Sequence, residues 1–235
     1  MSNPVLVTVV TVCRNVKSSL EKTMDSVLHQ SYAHIDYVII DGASTDGTPE
    51  MLGKTEGIRW ISEPDMGIYD AMNKGIRMAE GEWVIFMNAG DVFASDDTLS
   101  KVFSEERDAD VIYGDVIKGD CIKKAEPPHN GHRMYFCHQS AFVRTSCLKE
   151  FPFDIQHRMS ADFKQMKQLY LAGKTFMQLD FPIAVFDTSG VSNAQRSKGL
   201  YDNIQVIREV DNWKERLRLL PRLLFTYWMC RLRGA

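Results

Sequence analysis

Long apolar stretches are missing from this 235-residue chain. The run Val5 to Val12 is too short to cross a bilayer and has no basic segment before it, so it reads as a first core strand rather than a signal peptide. A cationic excess is missing as well. Lys and Arg number 28 against 31 Asp and Glu, a formal charge of −3, so no global basic field points to nucleic acid. The five cysteines are an odd number and show no C-x-x-C spacing. They read as thiols of a reduced, cytoplasmic protein and speak against a zinc centre or a disulfide framework. Internal repeats and low-complexity tracts are also absent. What remains is 44% hydrophobic residues, enough to bury a full core in one domain with an appendage.

Within that composition, residues 38–75 carry the most information. Tyr37 to Ile40 is a short apolar run of the kind buried in a parallel sheet, and it delivers Asp41 at the carboxyl end of a strand, where open α/β sheets bind ligands. Asp46-Gly47 supplies turn chemistry, and Thr48-Pro49-Glu50 reads as an N-cap, a proline at the first helical position and a first-turn acid. An ordinary strand-turn-helix has the same pattern. After Trp60-Ile61-Ser62, the run Glu63 to Gly75 sets Ile68, Met72 and Ile76 at helical spacing, with Asp65, Asp70, Asn73 and Lys74 near the helix start. Free N–H groups at such a start favour anions, and Lys74 could add a point charge for a diphosphate. Trp83 to Met87 reads as another buried strand, and Asn88-Ala89-Gly90-Asp91 after it brings a second strand-end carboxylate.

The second half repeats this logic once. His138 to Arg144 reads as a strand entering a turn, and Met159 to Phe163 opens a helix in which Phe163, Met166 and Tyr170 recur at helical spacing until Gly173. Ser160 is the expected N-cap, which puts Asp162 in the first turn, where a carboxylate is electrostatically favoured. From position alone Asp162 is a helix-start acid.

In this order and spacing, the motifs from Val5 to Gly173 resemble the family-2 glycosyltransferases of the GT-A fold. The resemblance implies an α/β, Rossmann-like GT-A domain, taken over residues 1–195, with a central, mostly parallel sheet flanked by helices; the segment 196–235 reads from its own residues as a helical, basic amphipathic appendage. It implies an inverting, non-processive transferase acting in bacterial cell-surface polysaccharide biosynthesis. The sugar moves from a nucleoside diphosphate donor, expected to be a UDP-sugar, to a saccharide or lipid-linked acceptor. The family's first strand and its Thr-x-x-Arg/Asn segment match Thr11, Arg14 and Asn15, and its base-contacting aspartate matches Asp41. Ser44, Glu63, Asp65, Asp70, Asn73, Lys74 and Asn88 complete the implied donor set. His138 and Gln139 fall on the acceptor side, and Asp162 matches the carboxylate that deprotonates the acceptor hydroxyl. The family's Asp-x-Asp metal motif is reduced here to Asn88-Ala89-Gly90-Asp91. A divalent ion, Mg²⁺ or Mn²⁺, would then rest on Asp91, the diphosphate oxygens and water. That reduced motif also leaves open a non-catalytic nucleotide-sugar-binding module. A nucleotidyltransferase would carry a glycine-rich basic loop where Cys13-Arg14-Asn15-Val16 stands.

Two further segments complete the reading. Asp110 to Ile117 is an expected strand, and Lys118 to Arg133 a loop or short hairpin that either covers the site or merely connects. His129, His132 and His138 match no zinc spacing. In the tail, Lys214, Arg216, Arg218, Arg222, Arg231 and Arg233 accompany Trp213, Leu217, Leu220, Leu224 and Trp228 at helical spacing. The pattern reads as an interfacial helix interrupted near Pro221, peripheral on the cytoplasmic face of a membrane, or else as a helix packed on the domain.

Overall fold

The computed structural model of the protein describes residues 5–105, 108–188 and 196–232. Strand β1 (Val7–Cys13) is buried along its whole length, as a strand covered on both faces must be. Its side chains divide by parity: Val7, Val9 and Cys13 join one hydrophobic cluster, and Val10 and Val12 the other. Around β1 the order is α1 (Lys17–Leu28), β2 (Ile35–Asp41), α2 (Thr48–Leu52), β3 (Arg59–Ser62), α3 (Ile68–Met78), β4 (Trp83–Phe86), β5 (Val92–Phe93) and α4 (Thr98–Val102). There follow β6 (Val111–Lys118), β7 (Cys121–Lys123), a 3₁₀ turn (His138–Ser140), β8 (Ala141–Arg144), α5 (Thr145–Glu150), α6 (Ala161–Leu171), β9 (Phe176–Phe186), α7 (Arg196–Val210) and α8 (Trp213–Leu232).

The sheet runs β3-β2-β1-β4-β8-β6-β9-β5, with β7 paired to β6 outside that path. Strands β1 to β4 are mutually parallel, β8 is antiparallel to β4 and β6, and β9 returns parallel to β6. One layer, from α1, α2 and α4, packs Leu20, Met24, Leu52 and Leu99 on one face. The other, from α3, α5, α6, α7 and α8, packs Met72, Leu148, Phe163, Ile204 and Leu223 on the opposite face. Helix α3 lies close because Gly75 faces β1, where an added Cβ would overlap Val10.

Several sequence expectations need adjustment. Gly47, at φ +87°, is the N-cap of α2 and Thr48 its first helical residue. Asp46 does the capping instead, accepting from the Thr48 amide at 3.2 Å and hydroxyl at 2.6 Å. Ser160 does precede α6, but its side chain makes no cap bond and turns to Gly199 O. The segment after β6 begins as a short hairpin through β7, and His138 to Ser140 is a 3₁₀ turn ahead of β8. Helix α8 continues unbroken through Pro221, which is exposed, so the Leu217 carbonyl it leaves without a donor can be hydrated.

Helices α7 and α8 are built into the same core as the sheet. Ile204, Val206, Ile207, Leu219 and Leu223 are buried in the cluster that contains Val10 and Val84. Lys167 of α6 reaches Asp211, between α7 and α8, at 2.8 Å with both side chains fully buried. The expected boundary at 195/196 abuts residues 189–195, and these, like Arg233 of the basic tail, lie outside the described residues.

Candidate active site

The carboxyl ends of β1 and β2 and the loop before α3 meet on one rim of the sheet. The Asn15 amide donates to Ser44 Oγ at 2.7 Å, and the Thr45 amide to Asn15 Oδ1 at 2.8 Å. Asn15 and Ala43 both take positive φ, so the two strand-end turns are locked into one wall. Asp41 organises it. Its carboxylate is fully buried and accepts from the Ser44 amide at 3.0 Å, the Ser44 hydroxyl and the Ser62 hydroxyl at 2.5 Å, so it joins β2 to β3. Gly42 permits close approach here: a Cβ on it would overlap Asp65 and press on Arg14, so Arg14, Gly42 and Asp65 form one cleft.

The remaining donor-side residues divide between cleft and scaffold. Asp65 accepts from the Gly67 amide at 2.9 Å and Asp70 from the Met66 amide at 3.0 Å, which folds the loop onto the start of α3. Lys74 is buried, with its ammonium 2.9 Å from Glu63 and 2.7 Å from Pro64 O, so its charge fastens the loop to α3. Asn73 pairs both its amide atoms with the Phe153 backbone at 2.8 and 3.0 Å. Thr11 is fully buried between Tyr37 and Met87 O. Thus Thr11, Asn73 and Lys74 are placed as braces, whereas Arg14, Asn15, Ser44, Glu63, Asp65 and Asp70 stand at the rim.

Asp162 stands against the start of α3, at Tyr69. It sits in the first turn of α6 with its side chain one-fifth exposed, accepts from Tyr69 OH at 3.0 Å and from the Phe163 amide at 2.8 Å, and lies 3.3 Å from His138 Nδ1. Burial by itself would raise its pKa. The hydrogen bond and charge of His138, with the Phe163 amide and Tyr69, outweigh that and hold it below the usual carboxylate value. It is therefore an ionised, solvent-reachable carboxylate. Beside it, a groove of about 210 Å³ is lined by residues 66–70, Ile155 and Arg158.

His138 links Asp162 to the end of β4, because its Nε2 lies 3.5 Å from Asn88 Nδ2. Asn88 Oδ1 is buried with no hydrogen-bond partner among the described residues. Asp91 is buried and accepts from the Asp187 amide at 2.8 Å; burial raises its pKa, with the Asp187 amide, His138 and Gln139 acting the other way. The Asp187 side chain lies over the turn, where a Cβ at Gly90 would overlap its Oδ2. An orphaned amide oxygen, a desolvated carboxylate and a second carboxylate nearby form an all-oxygen donor set that fits a hard divalent cation. Asn88, Asp91 and Asp187 are the residues that would hold it.

Sequence reasoning gave no role to Tyr69, Ser62, Arg158 or Asp187. Tyr69 stood inside the Glu63 to Gly75 run, so a signal was present; Asp187 lies 96 residues from Asp91 and had none. Among the described residues, Asp154, His157 and Glu209 form one compact group of potential metal ligands. Lys164 already serves it as the cation, at 2.6 Å from Asp154 and 2.7 Å from Glu209.

Comparison with known proteins agrees with this architecture. The Glycosyl transferase family 2 model matches residues 8–175. A PGL/p-HBAD biosynthesis glycosyltransferase of Mycobacterium bovis is 32% identical over 162 residues, covering 63% of this chain and 63% of that protein's own length. A structure of S. aureus TarS 1-349 in complex with UDP superposes with TM-score 0.67 at 18% identity, over 88% of this chain and 67% of the other. The mannosyltransferase PcManGT from Pyrobaculum calidifontis, in complex with GDP-Man and Mn²⁺, gives TM-score 0.68 at 18% identity, over 88% and 64%. These two likenesses speak for the fold. With a family model matched over most of its length and a parallel sheet whose strand-end turns form one rim, the chain belongs to glycosyl transferase family 2 and has the GT-A fold.

Proposed function

We propose that the protein is an inverting glycosyltransferase that moves a sugar from a nucleoside diphosphate donor to a hydroxyl of a saccharide or lipid-linked acceptor in cell-surface polysaccharide biosynthesis. The observation that carries this reading is Asp162: an ionised, partly exposed carboxylate bonded to Tyr69, a residue that lines the groove at the start of α3. A general base must be unprotonated and within hydrogen-bond reach of the proton it takes. The acceptor oxygen gives its proton to Asp162 and forms the bond to the anomeric carbon. The carbon–oxygen bond to the diphosphate breaks on the opposite face, with its electron pair leaving on the diphosphate, so the configuration inverts. Tyr69 and His138 hold Asp162 in place through this step.

On the donor side, Arg14, Asn15, Asp65 and the turn that Asp41 holds would form the nucleotide cleft, and UDP is the expected nucleotide. A divalent ion at Asn88, Asp91 and Asp187 would supply charge stabilisation to the departing diphosphate. The test is thermal unfolding with UDP and GDP, each with and without Mn²⁺. A ligand at about 100 times its Kd adds roughly 2.7 kcal/mol, and for a chain of this size each kcal/mol raises Tm by about 2–4 °C. No shift with any nucleotide refutes the reading. A shift without sugar transfer from the matching donor to any acceptor preparation leaves a nucleotide-sugar-binding module.

The C-terminal helix supports a peripheral place on the cytoplasmic face of a membrane. No helix among the described residues is long and apolar enough to cross one. Helix α8 buries Leu219 and Leu223 in the core, yet Trp213, Leu217, Phe225, Trp228 and Leu232 stand exposed. At 100° per residue these five fall within an arc of about 120°. Lys214, Arg218, Arg222 and Arg231 lie within or beside it and are exposed. An apolar face set among cations is the chemistry of an interfacial helix.

A further inference from the structure

Below α8 lies a cavity of about 540 Å³, between the segment 156–159 and helices α7 and α8. Among the described residues three cations line it: Arg158, Lys198 and Arg231. Among the described residues Arg158 and Lys198 have no ion-pair or hydrogen-bond partner, and Arg231 touches Tyr227, 3.4 Å from its hydroxyl and 6.0 Å from its ring centre. Unpaired guanidinium and ammonium groups converging on one concavity are a phosphate-binding arrangement. The acid in the wall, Asp202, does not cancel them. It accepts from His157 at 2.7 Å and from the Met159 amide at 2.9 Å, and His157 also meets Glu209 at 3.0 Å. Burial lowers the His157 pKa, but the bonds to Glu209 and Asp202 outweigh it and raise it, so this acid is balanced from within.

Two further features narrow the ligand. Tyr201 and Tyr227 line the same cavity with ring centres 5.9 Å apart, flat surfaces of the kind that stack on sugar rings. Tyr227 adjoins Trp228, which with Phe225 and Leu232 belongs to the exposed apolar face of α8. In the other direction Arg158 also lines the groove under Tyr69, whose hydroxyl bonds Asp162. The cavity and that groove thus share Arg158 in their walls, and Tyr69, which lines the groove but not the cavity, carries the bond to Asp162.

Resting on the transferase reading above, we propose that this cavity is the acceptor's phosphate site, and that the acceptor is a saccharide joined through a phosphate or diphosphate to an apolar chain. The phosphate sits between Arg158, Lys198 and Arg231, the sugar reaches past Arg158 towards Asp162, and the chain leaves along Phe225, Trp228 and Leu232. A cavity of this size suits a diphosphate with a sugar attached.

The probe is dodecyl diphosphate below its micelle concentration, titrated calorimetrically into the full chain at saturating UDP and Mg²⁺ so that the donor cleft is filled. One-to-one binding is expected. It should weaken by at least ~10-fold in the Arg158→Gln/Lys198→Gln double variant, whose exposed, unpaired side chains can be removed without disturbing the fold, as an unchanged Tm would verify. Inorganic diphosphate, lacking the chain, should bind at least ~10-fold more weakly than dodecyl diphosphate, and dodecyl maltoside, lacking the phosphate, should not bind. Equal affinity in the double variant, or displacement by UDP, overturns the proposal. So does full competition by phosphatidylglycerol vesicles, which would make the cations ordinary headgroup contacts. If UDP itself fails to bind, the transferase reading falls; if UDP binds and dodecyl diphosphate does not, only the acceptor assignment falls.

Discussion

Replacing Asp162 with asparagine removes one proton-accepting group and little else. The Asn oxygen can still accept from Tyr69 OH and the Phe163 amide, which reach Asp162 Oδ1 at 3.0 and 2.8 Å, while the new NH₂ takes the position of Oδ2, 3.3 Å from His138 Nδ1. That imidazole can accept from it in its neutral form. The structural loss is the negative charge at the start of α6, about 0.3–1 kcal/mol, and the charge-assisted part of two hydrogen bonds, about 1 kcal/mol. Together these lower Tm by a few degrees for a chain of this length. The kinetic loss is larger, because general-base catalysis contributes about 10² to 10⁴-fold, or roughly 2.7–5.5 kcal/mol of barrier. The assay is release of nucleoside diphosphate from donor in the presence of acceptor, with donor affinity followed by calorimetry. Donor affinity within about 3-fold of wild type and turnover down at least ~100-fold are expected. Turnover within about tenfold of wild type would refute the assignment of Asp162 as base.

Four other outcomes follow from the same contacts. In His138→Gln the group that most lowers the Asp162 pKa is gone, so the acid limb of kcat/KM should move to higher pH; an unmoved limb would detach His138 from the base. Mn²⁺ should bind far more tightly with UDP present than without it, and Asp187→Asn should weaken the UDP-dependent binding by about tenfold; calorimetry with equal affinities in both variants would remove Asp187 from the ion. In the membrane assay, Phe225→Ser/Trp228→Ser should reduce sedimentation with anionic vesicles while Tm stays within a few degrees, because these side chains are exposed; undiminished sedimentation places the contact elsewhere. His157 has a folded pKa above its ordinary value near 6.5, so its contribution is fully present below that pH and is lost as pH rises through the folded pKa. The Tm gap between wild type and His157→Gln should accordingly be larger at pH 6 than at pH 9, and a constant gap would show that the His157 charge plays no part.

The sequence by itself determined what is local. Apolar runs marked β1, β2 and β4; strand-end carboxylates marked Asp41 and Asp91; and a helix-start acid marked Asp162, each read from neighbours within a few residues. Period and capping are short-range signals, so these elements stand where expected to within a residue or two. Tertiary structure alone decided the partners. Tyr69 meets Asp162 across 93 positions and Asp187 meets Asp91 across 96, and no local pattern encodes such pairings. It also decided that Lys74 turns inward to Glu63, since a buried ammonium must be paired and its loop supplied the acid. Helix α8 shows the same limit. Its sequence gives apolar residues around much of the circumference, and only packing on the core fixed Leu219 and Leu223 inside and left Trp228 and Phe225 facing out.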